Sequence, residues 1–366
     1  MISMNDFKRD DEALVQRELA ATERVLRSGW WILGPEVKAF EQEWADWSGN
    51  VHTVGVANGM DALEIGLRAL GIGAGDEVIT TPMTAFATVL SILRTGAEPV
   101  LADIDPDTAI LDPDSVVRCL SPRTKAVMVV HLYGQAGPLE ALSALCAEHG
   151  LHLVEDCAQA HGAKASGRPC GTWGAFGGWS FYPTKNLGCI GDGGALTTGS
   201  ADLEAKARRL RNYGQSVRYH HPEVGLNSRL DELQAAILRE RLAHLTRWTD
   251  RRRAVARAYA DGIRHDAVRV LPLPSDPLRH VHHLFVVTSA RRDALQVHLK
   301  DNGVESLLHY PVPAHLQEPC RNFRQDPQGL ANAERHAAEC LSLPMHPALT
   351  DDEVATVIGA VNSFPG

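Results

Sequence analysis

The sequence predicts an α/β fold: a large domain on a mostly parallel central sheet, followed by a smaller C-terminal α+β domain. Three observations carry this expectation. Between Val54 and about Thr198, short apolar runs alternate with helical patterns, the signature of a parallel sheet covered by helices. The 366 residues exceed the usual size of one core, so two units are expected. Pro272, Pro274 and Pro277 then interrupt the chain and separate that region from a stretch of different pattern.

Residues 6–28 read as an amphipathic helix. Trp30, Trp31 and Leu33 before Gly34-Pro35 form an apolar turn into a second helix ending near Trp47, so the chain opens with an arm. Strands are expected at Glu77–Thr80, Pro99–Ile104, Ala126–His131, Leu151–Glu155, Gly178–Phe181 and Ala195–Thr198. Asp61–Leu70, Ala87–Thr95 and Leu139–His149 read as the crossover helices, each entered or left through glycine or proline. A long Leu-, Ala- and Arg-rich pattern runs from Asn227 to about Ile263, and Arg251, Arg252 and Arg253 within it read as an exposed face. His283–Thr288 is expected as a strand, and Arg291–Asn302, Ala331–Leu341 and Asp351–Asn362 as helices. The expected division is 1–250 for the arm and large domain and 251–366 for the small one.

Lysine and arginine total 36 against 45 acidic residues, a formal charge of −9. That balance argues against general affinity for nucleic acid or anionic membrane. The first residues lack an apolar segment of signal-peptide length, and no later run approaches the ~20 apolar residues that span a bilayer, so a cytoplasmic location is expected. The seven cysteines show no C-x-x-C spacing, which signals neither zinc nor a redox dithiol. His220, His221, His280, His282 and His283 lack a partnered ligand set, so no metal is expected and these side chains read as solvated or locally bonded.

Three segments can carry chemistry. In Ser180–Asn186 (SFYPTKN) a lysine follows an apparent buried strand and is hemmed in by Pro183 and Gly188. A partly desolvated lysine has a lowered pKa and can attack an aldehyde to form an imine, as pyridoxal-phosphate chemistry requires. In Val154–Gly162 (VEDCAQAHG), Asp156 closes an apolar strand at its carboxyl end, where open α/β sheets place ligand groups. A carboxylate there can pair with a pyridine nitrogen and keep it protonated, so that the ring withdraws electrons. In Ala57–Leu63 (ANGMDAL) a glycine turn opens a helix, and free amides at Gly59 and Met60 offer a phosphate seat. Gly191–Gly194 lacks the order of a nucleotide loop and reads as a turn.

Taken in this order, NGMDAL, VEDCAQAHG, SFYPTKNLG and GLNSRLDELQAA resemble the DegT/StrS-type sugar aminotransferases. The likeness runs from Gly29–Val37 to Leu308–Pro311, nearly the whole chain. It implies a fold type I pyridoxal-phosphate-dependent transferase of aspartate-aminotransferase type, working as a homodimer with shared active sites. Carried over by position, Lys185 becomes the Schiff-base and proton-shuttling lysine, with Asp156 at the pyridine nitrogen and Gln159 near the ring hydroxyl. Ser180, Gly59 and Met60 would bind phosphate, and Asn227 would reach it from the partner subunit.

One departure concerns the residue that stacks on the cofactor ring. Where relatives commonly place an aromatic, counting without gaps lands on Ala85, and Phe86 stands one position late. Either the loop shifts so that Phe86 stacks, or that face is covered differently. Thr84 and Thr88 read as turn and helix-cap residues.

The resemblance further implies L-glutamate as amino donor and a nucleotide-linked keto sugar as acceptor, in a ping-pong cycle. The HLYGQ (His131–Gln135) and RNYGQ (Arg211–Gln215) segments look most like enzymes acting at C-3, which points to a dTDP-linked 3-keto-6-deoxyhexose. C-4 amination and cyclitol amination are the alternatives. Tyr182, Arg229, His309, Tyr310 and Tyr133 are the candidate substrate contacts. A related sugar dehydratase would carry histidine at position 185. A non-catalytic regulatory or binding protein of the same fold is the reading from another class.

Overall fold

The computed structural model describes residues 1–366. In chain order, β1 (His52–Val56), β2 (Glu77–Thr80), β3 (Glu98–Leu101), β4 (Thr124–Val130) and β5 (His152–Asp156) precede a short hairpin, β6 (Lys164–Ala165) and β7 (Arg168–Pro169). Next come β8 (Gly177–Ser180) and β9 (Gly194–Thr198), then β10 (Arg269–Val270), β11 (Phe285–Thr288) and β12 (Cys340–Leu343). Seven strands form the main sheet in the order β1-β9-β8-β5-β4-β2-β3. The pairs β5-β8, β4-β5, β2-β4 and β2-β3 are parallel, and β9 runs antiparallel to both neighbours. β5 is buried from Leu153 to Asp156, as expected of a central strand with helices on both faces.

The helices are α1 (Glu12–Ser28), α2 (Pro35–Ser48), α3 (Gly59–Ala69), α4 (Phe86–Thr95), α5 (Pro113–Cys119), α6 (Leu139–His149), α7 (Ala201–Leu210), α8 (Glu232–Leu242), α9 (Leu245–Gly262), α10 (Arg292–Asp301), α11 (Ala331–Glu339) and α12 (Asp351–Asn362). The pattern expected to run unbroken from Asn227 to Ile263 divides at Ala243-His244 into α8 and α9. The helix expected over Ala331–Leu341 stops at Glu339, because Cys340–Leu343 leaves it to pair with β11.

The arm is held by one buried carboxylate. Glu232, at the start of α8, accepts the backbone amides of Gly34, Glu36 and Val37 at 2.8, 2.8 and 2.9 Å. It thereby satisfies the open amino end of α2, which has no side-chain cap of its own. Glu232→Ala leaves three buried donors without a partner, and at ~1–3 kcal/mol each we expect a loss of at least about 3 kcal/mol. The midpoint of urea unfolding measures it; a variant as stable as wild type would contradict this assignment.

Around β10–β12, an apolar cluster that includes Val255, Tyr259, Phe285, Leu295, Leu341 and Val357 packs separately from the core of the main sheet. Leu245 of α9 belongs to the main-sheet cluster, and Val255, Ala256 and Tyr259 of the same helix belong to the second. The arginine run there is not the exposed face expected from its charge. Successive residues on a helix point about 100° apart, so one of three faces inward. Arg252 is buried and donates through Nη1 to the carbonyls of His282, His283 and Met345 at 3.2, 3.3 and 2.8 Å. His280, His282 and His283 are likewise buried, with the first two rings stacked at 3.8 Å.

Candidate active site

Two strand ends and one helix start converge at the carboxyl edge of the main sheet. Asp156 is the last residue of β5, Ser180 the last of β8, and Gly59 the first of α3. Asn58 caps α3 by accepting the amide of Asp61 at 2.9 Å, which leaves the amides at Gly59 and Met60 without partners inside the helix. Gly59 lies so close to Ser180 that a Cβ on it would stand 2.7 Å from the serine Cβ, and a Cβ on Gly194 would collide with the Asn58 carbonyl. Bare backbone therefore forms this wall at the amino end of α3, with Ser180 beside it. That arrangement seats a phosphate.

Lys185 sits in the turn after β8, where its amide donates to the Tyr182 carbonyl at 2.9 Å. Burial pushes its amine down from the ordinary 10.5 to about 8, and the facing Asp156 carboxylate offsets part of that fall. Histidines near the amine are pushed down as well: His161 to about 3 and His309 to about 4, by burial first and by the Lys185 charge next. They are neutral at neutral pH, so Asp156 is the charge that faces the lysine.

Asp156 is buried and held at both oxygens. Oδ2 accepts the Thr88 hydroxyl at 2.7 Å and Oδ1 the Ala158 amide at 3.1 Å. Gln159 is fixed at its amide oxygen by the Tyr133 amide (2.6 Å), while its Nε2 donates to the Tyr310 hydroxyl at 3.4 Å. Beneath them, Glu155 accepts the amides of Gly171, Trp173 and Gly174 and contacts His131 Nε2 at 3.0 Å. Glu155, His131 and Cys157 bring three metal-ligand atoms within 4.8 Å of one another. The Gly137 amide donates to His131 Nδ1 at 3.0 Å, so Nε2 carries the proton and the set closes as a hydrogen-bonded framework under Asp156.

The structure thus brings together Lys185, Asp156, Gln159, Ser180, Gly59, Met60, His309 and Tyr310. Tyr182 is exposed on the same turn. Asn227 and Arg229 make their contacts elsewhere: Asn227 is exposed and bridges to Asn212, while Arg229 donates to Asn212 at 3.0 Å and lies 5.2 Å over the Tyr213 ring. Tyr133, a candidate sugar contact, is buried and committed to the His309 carbonyl (2.5 Å) and His336 (2.9 Å). Ala85 is the N-cap of α4 and Phe86 its first residue. Thr88, which reaches Asp156, stands three positions after Ala85 and two after Phe86, so helical spacing aligns it with Ala85. Phe86 instead lines a groove with Tyr310, Pro311 and Val312. Thr88, His161 and His283, the last pushed down by burial and then by the Lys185 charge, were missed as site residues. The only sequence signal for Thr88 was its position near a helix start.

The DegT/DnrJ/EryC1/StrS aminotransferase family model matches residues 12–362. The chain belongs to that family. It is 47% identical over 360 residues to a dTDP-3-amino-3,4,6-trideoxy-alpha-D-glucose transaminase from Streptomyces venezuelae, covering 98% of this chain and 95% of that one. It is 42% identical over 366 residues to a pleiotropic regulatory protein from Geobacillus stearothermophilus, covering 99% and 98%. The crystal structure of S. venezuelae DesV superposes with a TM-score of 0.94 at 45% identity, covering 99% of this chain and 97% of that one. This member of the DegT/DnrJ/EryC1/StrS family is a pyridoxal-phosphate-dependent aminotransferase with the fold type I architecture. The residues at the sheet edge fit that cofactor: a bare-backbone seat for phosphate, a carboxylate for the ring nitrogen and a desolvated amine for the aldehyde. No helix is long and apolar enough to cross a membrane.

Proposed function

We propose that the protein moves the amino group of L-glutamate to C-3 of a dTDP-linked 3-keto-6-deoxyhexose. The reaction type rests on Lys185, an amine lowered to about 8 and faced by Asp156 beside the phosphate seat. The acceptor rests on the likeness to the S. venezuelae transaminase of a 3-amino sugar. When bound, pyridoxal phosphate supplies an aldehyde carbon that takes up the amino group and a ring that spreads the charge left at the carbon losing its proton.

The chain's own residues do the rest. Gly59, Met60 and Ser180 would anchor the phosphate, Asp156 would keep the ring nitrogen protonated, and Gln159 would orient the ring from its hydroxyl side. Lys185 would hold the cofactor between turnovers and, as a free amine, would take up a proton from one carbon and return it to another. Ala85, the N-cap of α4, would meet the ring face with a methyl group, while Phe86 lines the neighbouring groove. His309, Tyr310 and Tyr182 would serve the sugar nucleotide.

Only the neutral amine attacks an aldehyde, so the pH dependence has a defined sign. Covalent capture of pyridoxal phosphate by the apoenzyme should accelerate as pH rises, reach half its maximum near pH 8, where half of the Lys185 amine has lost its proton, and level off above that. Stopped-flow absorbance measures the profile, and a rate still climbing toward 10.5 would contradict the lowered amine.

The working unit we propose is a homodimer with shared sites. Trp30, Trp31, Ile32, Tyr213 and Val224 are exposed, and they adjoin the segment that carries Asn227: Ile32 bridges to Asp231 and Asn212 to Asn227. An apolar rim around an exposed amide suits a partner's surface, and Asn227 of the partner subunit would complete the phosphate seat. Asn227→Ala should weaken cofactor binding about 10-fold, the equivalent of one hydrogen bond, measured by equilibrium titration of the apoenzyme.

The substrate test is product analysis. Holoenzyme with L-glutamate and dTDP-linked 3-keto-6-deoxyhexose should yield 2-oxoglutarate and the amino sugar, with the 4-keto isomer and a keto cyclitol much slower; the reverse preference would overturn the C-3 assignment. The reading as a non-catalytic regulator is not favoured, although the G. stearothermophilus relative carries a regulatory name. A regulator would form no 2-oxoglutarate from glutamate in a single turnover.

A further inference from the structure

Thr84 and Thr88 form a hydroxyl chain that ends on Asp156. Thr84 Oγ1 and Thr88 Oγ1 are 2.7 Å apart, and Thr88 Oγ1 donates to Asp156 Oδ2 at 2.7 Å. All three side chains are buried. A hydroxyl has one proton to give. The Asp156 carboxylate has none, so the Thr88 proton goes to Asp156, and the proton between the two threonines must come from Thr84. Thr84 is then left with lone pairs and no proton for any further partner.

Those lone pairs belong to a residue that lines a groove of about 190 Å³ with Phe86, Tyr310, Pro311, Val312, Ala314 and Gln317. The groove adjoins the site, since Tyr310 accepts from Gln159. No charged residue lines it, and four of its seven lining residues are apolar. A carboxylate or phosphate would be desolvated there without a cation, whereas the deoxygenated carbons of a sugar ring would meet apolar walls.

We propose that Thr88 is a positioning residue for Asp156, and that the chain behind it makes Thr84 a hydrogen-bond acceptor for a hydroxyl of the sugar ring seated in this groove. This rests on the reading of Asp156 as the partner of the cofactor ring. Thr88 gives Asp156 Oδ2 its donor as the Ala158 amide does for Oδ1, which fixes the carboxylate plane and favours the anion that the ring nitrogen needs. Thr84 selects a hydroxyl and disfavours a carbonyl or carboxylate at the same place, because two acceptors facing each other share no proton.

The experiment uses holoenzyme and measures the glutamate and keto-sugar half-reactions separately, together with the absorbance maximum of bound cofactor and its dissociation constant. Thr88→Val, which keeps shape and removes the hydroxyl, should displace the absorbance maximum, weaken cofactor binding and slow both half-reactions about 10-fold or more. Thr88→Ser should restore all of these, which a packing role for the methyl group would not do. Thr84→Val should raise KM for dTDP-linked 3-keto-6-deoxyhexose about 10-fold and disturb the glutamate half-reaction far less, with Thr84→Ser restoring the KM.

Wild-type cofactor absorbance and affinity in Thr88→Val, or a wild-type sugar KM in Thr84→Val, would overturn the inference. Asp156→Asn separates that failure from failure of the underlying reading. If Asp156→Asn also leaves the cofactor spectrum unaltered, Asp156 is not the ring's partner. If it changes the spectrum while Thr88→Val does not, only the hydroxyl chain is wrong.

Discussion

Replacing Lys185 by alanine should lower turnover on the order of 10^4-fold, because one side chain supplies both the amine that holds the cofactor and the base that moves the proton. Lys185→Arg should fail almost as completely: it keeps a positive charge facing Asp156 but has no neutral amine at any working pH. Single-turnover formation of 2-oxoglutarate is the measurement. Folding should survive the alanine change, since burial works against the charged amine and its removal leaves no carboxylate without a donor: Asp156 keeps Thr88 and Ala158. Loss of activity with an unaltered urea midpoint would then be a chemical loss.

The next largest effect should come from Asp156→Asn, with rates down about 10^2- to 10^3-fold, the range found when one preorganised electrostatic partner is removed. An amide cannot hold the ring nitrogen in its protonated form. The same substitution has a second effect of defined sign. Asp156 raises the Lys185 amine against the larger fall caused by burial, so without the carboxylate the amine should lose its proton below about 8. Cofactor capture by apo Asp156→Asn should level off at a lower pH than in wild type; a plateau moved upward would mean that the two groups do not face each other.

Much of this fold was legible because local and tertiary signals agree. Glu77–Thr80, Leu139–His149 and Asp351–Asn362 begin and end where the sequence placed them. Gly150 closes the second in a left-handed conformation, and a capping box between Thr350 and Glu353 opens the third. Where packing decides, sequence reading was weaker. Cys340 and Leu341 continued a helical pattern but are captured, with Ser342 and Leu343, as a strand by β11. The Arg251–Arg253 run looked solvated, yet the middle residue turns inward to three carbonyls. α7 was not anticipated, because ADLEAKARRL is polar on most of its surface.

The site shows the same division. Asp156 ends a strand, the Gly59 turn starts a helix and Lys185 lies in the turn after a strand, positions that a sequence announces. The role of Thr88 is not announced in this way. Its importance comes from a 2.7 Å contact with a residue 68 positions away, and nothing in a short motif around it records that contact. Tyr133 errs in the opposite direction: an aromatic in a suggestive HLYGQ segment is consumed by anchoring Gln159 through its amide and the His309 carbonyl through its hydroxyl.

The most direct test is the absorbance of the purified holoenzyme, recorded first alone, then after L-glutamate, then after dTDP-linked 3-keto-6-deoxyhexose. The account predicts that the band of Lys185-bound cofactor disappears with glutamate and returns with the keto sugar, and that Lys185→Ala shows neither change. A wild-type spectrum that matches Lys185→Ala, or that ignores glutamate, would contradict it.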